Sequence, residues 1–198
     1  MRKLLTLAIT GMISVCLAAP EFASAQEVTS DTILKTLKPK KAIKRGLGQK
    51  TLTDADASFL DSLPVRGIKV QQRQKLATII VEKQLPKIDV RIQFEFDSAT
   101  ISPEAQGQLV ALAKALSDPS MAGVRIALNG HTDAKGTDAY NLELSEERAT
   151  AVRRELVATY NIAPERLIAV GFGEERLKDT YDPEGPVNRR VEVVRITK

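Results

Sequence analysis

The chain has 198 residues, a formal net charge of +4 and one cysteine. The positive charge belongs to the N-terminal part, because residues 26–85 carry twelve Lys and Arg against six acids, whereas residues 86–198 carry fifteen against eighteen. This length suits one compact domain with an extension, and we expect no nucleic-acid partner for the acidic C-terminal part. A single cysteine excludes a disulfide within the chain.

Residues 1–25 have the features of a secretory signal peptide. The chain starts with Arg2 and Lys3, continues with a mostly apolar run over residues 4–19, and then has Ala-Ser-Ala, a typical cleavage site. The apolar run is shorter than the roughly 20 residues that span a bilayer. We therefore expect cleavage after Ala25 and folding outside the cytoplasm.

The single cysteine, Cys16, allows two interpretations. It is either discarded with the signal peptide or is the acylated residue of a bacterial lipoprotein, although Val15 is larger than the Gly or Ala usual before such a cysteine. In the first case the secreted chain has no thiol, so neither a disulfide nor a thiolate metal site can form.

Residues 26–67 are predicted to form a basic, largely irregular extension. Seven of the seventeen residues 34–50 are basic, which is typical of a solvated tail. The alternative is a tether that contacts outer-membrane lipid, lipopolysaccharide or the acidic glycan of the wall. A helix capped by Thr53 or Asp54 is expected near the end of this extension, and residues 68–86 are predicted to contain a linker helix.

The regular part begins near Lys87. Residues 88–96 alternate between apolar and polar side chains, which predicts a strand with one buried face. Further strands are predicted over 124–130, 166–173 and 189–196, and helices from Ser102 to Leu116 and from Ser145 to Tyr160. The order predicts an α/β fold in which one mixed sheet packs on two helices as a two-layer sandwich.

Two charged residues stand out beside the predicted second strand. Asp133 follows the C-terminal end of the strand, where open α/β sheets tend to bind ligands. If Ser145 caps the next helix, Arg148 is its third residue, where the helix dipole disfavours a cation and a capping box prefers Glu or Gln. A residue that breaks a local rule in consistent surroundings indicates a functional site.

Two explanations of Arg148 compete. It either forms an exposed ion pair with Asp133 or a neighbouring glutamate, which contributes roughly 0–1 kcal/mol, or it faces a ligand together with Asp133. In the second case the guanidinium binds a carboxylate in two-point contact and Asp133 binds an ammonium group. The second explanation requires that the two side chains converge across an open cleft.

The stretch around these residues resembles the signature of the OmpA-like C-terminal domain, a family that includes the peptidoglycan-associated lipoprotein and the periplasmic part of flagellar stator B subunits. The matching pattern is TD-x2-G-x4-N-x2-LS-x2-RA, from Thr132 to Ala149. FEFDSATI at 94–101, GFGE at 171–174 and NRRVEV at 188–193 follow the same order. The resemblance covers about residues 87–198, which we take as the domain.

The resemblance implies non-covalent binding of peptidoglycan through the diaminopimelate of its stem peptide, in the periplasm and in association with the outer membrane or cell wall. Diaminopimelate has an amine and a carboxylate on one carbon. The family implies that Asp133 binds the ammonium and Arg148 the carboxylate. Asn141 supports the loop and offers amide hydrogen bonds. Three further residues belong to the implied ligand site: Asp97, Thr132 and Arg189, with Arg190 as the alternative to the last.

Two other functions remain open from the sequence, a cell-wall hydrolase and an adaptor for another envelope protein. His131 is the only histidine, and no nucleophile motif accompanies it as a general base requires. We therefore expect its ring to pack or to form a hydrogen bond at the strand end. The adjacent acids 146–147 and 174–175 are expected to be solvated. No catalytic residue, cofactor or metal is expected.

Overall fold

The computed structural model describes residues 27–39, 51–95 and 97–197. The signal peptide, Cys16 and residues 40–50 of the basic segment lie outside this part. The described residues form helices α1 (Ser30–Leu37), α2 (Asp54–Ser62), α3 (Val70–Glu82), α4 (Gln106–Leu116) and α5 (Asp138–Ala158), and strands β1 (Lys87–Val90), β2 (Ile126–His131), β3 (Leu167–Gly171) and β4 (Arg190–Arg195). None of the helices in the described part is both long and apolar enough to span a membrane.

The four strands form one mixed sheet in the order β1-β4-β2-β3. Strands β2 and β3 are parallel, and β4 lies antiparallel to both β1 and β2. The register places His131, the last residue of β2, opposite Arg190, the first residue of β4. The C-terminal end of β2 and the start of β4 therefore lie side by side at one end of the sheet. This topology confirms the predicted α/β fold with one mixed sheet.

One face of the sheet packs against α1, α4 and α5. The buried residues of this cluster include Ile33, Leu37, Leu109, Leu112, Val152 and Leu156 from the helices and Val90, Ile126, Leu128, Leu167, Val191 and Val193 from the strands. Neighbouring residues in a strand point to opposite faces, so the residues between these belong to the other face. Helices α4 and α5 form the helical layer that the sequence predicted.

The opposite face of the sheet packs against α2 and α3. Its cluster contains Leu60, Leu63, Leu76, Ile79 and Ile80 from the N-terminal part and Ala127, Ile168, Val170, Phe172 and Val194 from the sheet region. The structure therefore adds a second helical layer to the predicted two-layer arrangement. The predicted α2 is confirmed with its cap, because Thr53 and Asp56 form a capping box. The predicted helix within residues 68–86 is confirmed as α3.

The prediction that residues 26–67 are largely irregular is wrong for the described part of that range. Helix α1 is capped by Thr29, and Ile33 and Leu37 lie one turn apart on one side, fully buried against the core. Helix α1 contains one basic residue, Lys35, and the other basic residues of the extension follow the helix. The extension thus contributes side chains to both hydrophobic clusters.

Strand β1 is shorter than the predicted strand over residues 88–96. It ends at Val90, which pairs with Val191, because β4 begins at Arg190 after the short helical turn Pro186–Asn188. Among the described residues, 92–95 consequently pair with no strand, and Phe94 forms an isolated bridge with Ile101. The alternation read from the sequence still holds in part, since Ile92 is buried and Phe94 packs partly against the same cluster.

Helix α5 begins seven residues earlier than predicted, so the assignment of Ser145 as its cap is wrong. Thr137 is the cap, and its hydroxyl accepts a hydrogen bond from the backbone N–H of Tyr140. Ser145 is fully buried; it donates to the carbonyl of Leu142 at 2.7 Å and accepts the N–H of Gly173 at 2.8 Å. Arg148 therefore lies near the middle of α5, and the argument from the helix dipole does not apply to it.

Glycines allow α5 to lie directly on the sheet. A Cβ atom at Gly130 of β2 would lie 2.1 Å from the carbonyl oxygen of Ser145. At Gly171 of β3 it would lie 2.6 Å from the backbone nitrogen of Glu146. Both distances are too short for any side chain, so these two glycines fix the depth at which α5 sits.

His131 lies on the α2–α3 side of the sheet. Its ring is 3% exposed and stacks on Phe172, with 5.5 Å between the ring centroids. Neither ring nitrogen has a hydrogen-bond partner within the described residues. Burial, with the nearby Arg190 and Arg176, lowers the pKa of His131 to about 3. The histidine therefore packs as a neutral ring, which is one of the two outcomes expected from the sequence.

We predict that Gly130→Ala destabilises the fold by about 1–3 kcal/mol, because the added methyl group must push α5 away from β2. Urea denaturation measures the loss. Gly107→Ala is the matched control: Gly107 is exposed on α4 with open space around its Cβ position, and we expect it to stabilise by about 0.5–1 kcal/mol. Equal effects of the two substitutions would contradict the close contact.

We predict that His131 makes the protein less stable in acid. Between pH 6.5 and 3 the unfolded chain binds a proton at this residue and the folded chain does not, so the free energy of unfolding falls as the pH decreases. His131→Phe removes this contribution. The drop in unfolding free energy from pH 6.5 to 4.5 should be smaller in the variant by roughly 2 kcal/mol. The same drop in both proteins would mean that His131 titrates normally.

Candidate functional site

The loop after β2 holds Asp133 in a fixed position. The carboxylate oxygen Oδ1 of Asp133 accepts the backbone N–H of Lys135 at 3.2 Å. Asn141, which is 2% exposed, donates from Nδ2 to the carbonyl of Lys135 at 2.9 Å and to the carboxylate of Glu174. Gly136 turns the chain with a φ of +103°. Asn141 thus supports the loop, as the resemblance implied.

Thr132 precedes Asp133 and faces inward. It is 2% exposed, and its hydroxyl has no hydrogen-bond partner within the described part of the chain. Its backbone N–H donates to the carbonyl of Gly173 at 3.0 Å. In this state Thr132 contributes to the site through its backbone, by joining the ends of β2 and β3.

A second loop, residues 93–102, faces the first one. The backbone N–H of Glu95 donates to Thr100, and that of Ser102 donates to Gln93, so the loop is closed by its own hydrogen bonds. Asp97 lies at the tip with a φ of +52°, a left-handed conformation that Asp tolerates better than most residues. The turn presents the carbonyl of the next residue, Ser98, to helix α5.

Arg148 reaches from α5 to this second loop. Its Nε donates to the carbonyl of Ser98 at 3.0 Å, and its guanidinium lies 5.0 Å from the ring centroid of Phe94. The side chain is half-buried, and burial lowers the pKa of Arg148, although Tyr140, Asp133 and Asp97 favour the charged form. No described residue accepts a hydrogen bond from the two terminal Nη atoms of Arg148, so this edge of the guanidinium is available to a ligand.

Asp97 does not face the cleft as a free carboxylate. The hydroxyl of Tyr140, in the first turn of α5, donates to Oδ1 of Asp97. This hydrogen bond raises the pKa of Tyr140 and keeps its hydroxyl protonated. Both side chains are exposed at the rim of the site. The pair links the loop that carries Asp97 to the helix that carries Arg148.

The site differs from the predicted open cleft at Asp133. Arg189 covers this carboxylate, with its Nη1 at 2.5 Å from Oδ2. The side chain of Asp133 is only 10% exposed, whereas that of Arg189 is 46% exposed. Arg148 and Arg189 line one small crevice of about 10 Å³ together with Phe94 and Val191. Arg189 therefore connects Asp133 to the crevice that Arg148 lines, and no open cleft separates the two side chains.

The structure distinguishes between Arg189 and Arg190, which the sequence left open. Arg190 turns away from Asp133 and pairs through Nε with Asp89 at 3.3 Å. Its Nη atoms donate to the carbonyls of Asn188 and Arg176. Arg190 lines the same crevice but is held by its own partners, whereas Arg189 is the arginine that pairs with Asp133.

Three contributors to the site were not identified from the sequence: Phe94, the carbonyl of Ser98, and Tyr140. The first two lie within FEFDSATI, and Tyr140 directly precedes Asn141, so the motifs marked their positions but not their contacts. The expectation that the adjacent acids 174–175 are solvated holds for Glu175, which is half-exposed, but both acids also have partners within the fold. Glu174 accepts from Asn141, and Glu175 pairs with Arg73 of α3 at 2.7 Å.

The site carries charges of both signs. Its polar groups are two carboxylates, two guanidinium groups and one phenol hydroxyl, and the imidazole of His131 is buried without a hydrogen-bond partner among the described residues. No group of three His, Cys, Asp or Glu within the described ranges is placed to hold a metal ion. A ligand with both a positive and a negative group fits this charge pattern.

Comparison with known proteins identifies the domain. Residues 93–190 match the model of the OmpA family. The chain is 43% identical over 102 residues to the peptidoglycan-associated lipoprotein of Pseudomonas aeruginosa, covering 50% of this chain and 58% of that protein. It is 39% identical over 111 residues to outer membrane porin F of Pseudomonas fluorescens, covering 55% of this chain and 33% of the porin.

Among solved structures, the crystal structure of the peptidoglycan-associated lipoprotein from Burkholderia pseudomallei is 33% identical. The match covers 52% of this chain and 86% of the Burkholderia chain, with a TM-score of 0.44. The chain spans about a third of the length of porin F and somewhat more than half of the Pseudomonas lipoprotein. The matched region contains Asp133, Arg148 and Arg189. The chain therefore belongs to the OmpA family through the domain at residues 93–190.

Proposed function

We propose that this domain binds peptidoglycan non-covalently and thereby tethers the cell envelope to the wall, with the diaminopimelate of the stem peptide as the group that enters the site. The observation that carries the proposal is the half-buried guanidinium of Arg148, whose two Nη atoms have no hydrogen-bond partner among the described residues. The family adds support, because one relative is named for its association with peptidoglycan.

Arg148 is the proposed partner of the ligand's carboxylate. Its Nε is already bonded to Ser98 and its flat face rests on Phe94, so the plane of the guanidinium is set before the ligand arrives. A planar fork held in this way can bind both oxygens of a carboxylate. Pre-ordering reduces the conformational entropy lost on binding.

Asp133 is the proposed partner of the ligand's ammonium group. It lies in a loop fixed by Asn141 and by its own hydrogen bond to Lys135. A carboxylate with little exposure to water forms a strong charge-assisted hydrogen bond with an ammonium. Asp97 and Thr132 are proposed to complete the site, the first at its rim and the second beneath the loop.

The proposed location is the periplasm, in association with the outer membrane or the cell wall, and it agrees with relatives that are outer-membrane or peptidoglycan-associated proteins. The basic segment 34–50 remains a proposed contact for outer-membrane lipid or lipopolysaccharide. The adaptor function also remains a proposal. The hydrolase alternative has less support, because neither ring nitrogen of His131 has a partner among the described residues and the carboxylate of Asp97 accepts from Tyr140.

We predict that Arg148→Ala and Asp133→Asn each abolish most binding to purified sacculi. Truncating one partner of a desolvated charged contact typically costs about 2–5 kcal/mol, which is at least a thirtyfold loss of affinity. Co-sedimentation with sacculi measures the effect, and circular dichroism checks the fold.

The matched controls remove the same charges from exposed positions elsewhere on the protein. Arg154→Ala alters an exposed side chain of α5 and Glu82→Gln one of α3, and we expect both to bind as the wild type does. If Arg148→Ala and Asp133→Asn also bind as the wild type does, the two residues do not form the binding site and the proposed function fails.

Ligand specificity provides a separate prediction. A soluble stem peptide with lysine in place of diaminopimelate keeps an amine but lacks the carboxylate proposed to bind Arg148. We expect the diaminopimelate peptide to bind the wild type at least tenfold more tightly than the lysine peptide, measured by isothermal titration calorimetry. In Arg148→Ala the difference should disappear. Equal affinities in the wild type would retain peptidoglycan binding but reject recognition of diaminopimelate.

A further inference from the structure

Both oxygens of the Asp133 carboxylate are engaged before any ligand binds. Oδ1 accepts the N–H of Lys135 at 3.2 Å, and Oδ2 pairs with Nη1 of Arg189 at 2.5 Å. The side chain of Asp133 is only 10% exposed under Arg189, and the crevice that Arg189 lines with Arg148 has a volume of about 10 Å³, room for one water molecule at most. An ammonium group cannot reach Asp133 until Arg189 moves.

The side chain of Arg189 is placed to move while its backbone stays fixed. It is 46% exposed, and its pair with Asp133 is its side chain's one hydrogen-bonded contact within the described residues. The preceding residue, Asn188, is fully buried and holds the loop through hydrogen bonds to backbone groups of Lys178, Asp179, Asp182 and Pro183. The side chain can therefore leave Asp133 without any change in the loop.

We propose that Arg189 is an internal competitor of the ligand: its guanidinium occupies the position on Asp133 that the ligand's ammonium takes, and binding is an exchange of one cation for the other. This inference rests on the proposed function. The inference assigns to Arg189 a role in selectivity and not a direct contact with the bound ligand.

The exchange makes the site selective for a ligand that carries both charges. A simple anion is attracted by Arg148 and Arg189, but it cannot replace Arg189 on Asp133. A simple amine can compete for Asp133, but it gains nothing from Arg148. Only a ligand with an ammonium and a carboxylate close together replaces the internal ion pair and also occupies the free edge of Arg148. The pair thus excludes ligands with a single charge.

The test compares two ligands in three proteins by isothermal titration calorimetry. The ligands are a soluble stem peptide whose diaminopimelate amine is free and the same peptide with that amine acetylated. The proteins are the wild type, Arg189→Ala and the control Arg154→Ala. Arg154 is an exposed arginine of α5, so its substitution removes the same charge without touching Asp133.

We expect Arg189→Ala to bind the free-amine peptide about two- to fivefold more tightly than the wild type, the range expected from removing a half-exposed ion pair. The acetylated peptide should show no such gain, and Arg154→Ala should leave the ratio of the two affinities unchanged. Arg189→Gln, which keeps most of the side-chain volume, should behave as Arg189→Ala does.

Three outcomes overturn the inference while leaving the proposed function intact. Weaker binding of the free-amine peptide to both Arg189 variants would mean that Arg189 contacts the ligand directly. Unchanged binding would mean that the internal pair does not compete. An equal gain for both peptides would mean a general effect of charge. If the wild type and both Arg189 variants bind neither peptide, the proposed function itself fails, and the inference fails with it.

Discussion

Helix α5 lies directly against β2 and β3 because both strands have glycine where the helix crosses them. Gly130 and Gly171 leave no room for a Cβ atom, and the hydroxyl of Ser145 joins the helix to the backbone N–H that follows β3. This contact sets the distance between the helix and the loop that follows β2. Arg148, one turn further along α5, therefore reaches the site of Asp133, although the two residues come from different elements.

The second helical layer, α2 and α3, contacts the loops at the same end of the strands from the other face of the sheet. Arg73 of α3 pairs with Glu175, and the neighbouring Glu174 accepts from Asn141, which in turn holds the loop of Asp133. The N-terminal helices thus stabilise the loop after β3 as well as the hydrophobic cluster beneath it. These helices precede residues 93–190, the region that matches the family model, so this support comes from outside the matched region.

The sequence predicted the strands and most helices because alternation and capping residues are local signals. It placed the start of α5 wrongly because a serine before two acids looks like a cap, while its actual role, a buried contact with Gly173, depends on the folded sheet. It named Asp133, Arg148 and Arg189 through a family motif but could not predict how they pair. The contact between Asp133 and Arg189 joins residues 56 positions apart, and it exists because β4 lies beside β2 in one register.

The low exposure of Asp133 explains why the guanidinium of Arg189 pairs with its carboxylate. A carboxylate removed from water is costly unless an opposite charge or several hydrogen bonds compensate it, and a single backbone N–H from Lys135 is not sufficient. Arg189 provides the opposite charge in the absence of ligand, and its exposed side chain allows it to be replaced. The same burial that would make the contact with an ammonium strong therefore also requires an internal cation when no ligand is present. The burial of Asp133 is therefore the common cause of the closure of the site and of the selectivity that we propose.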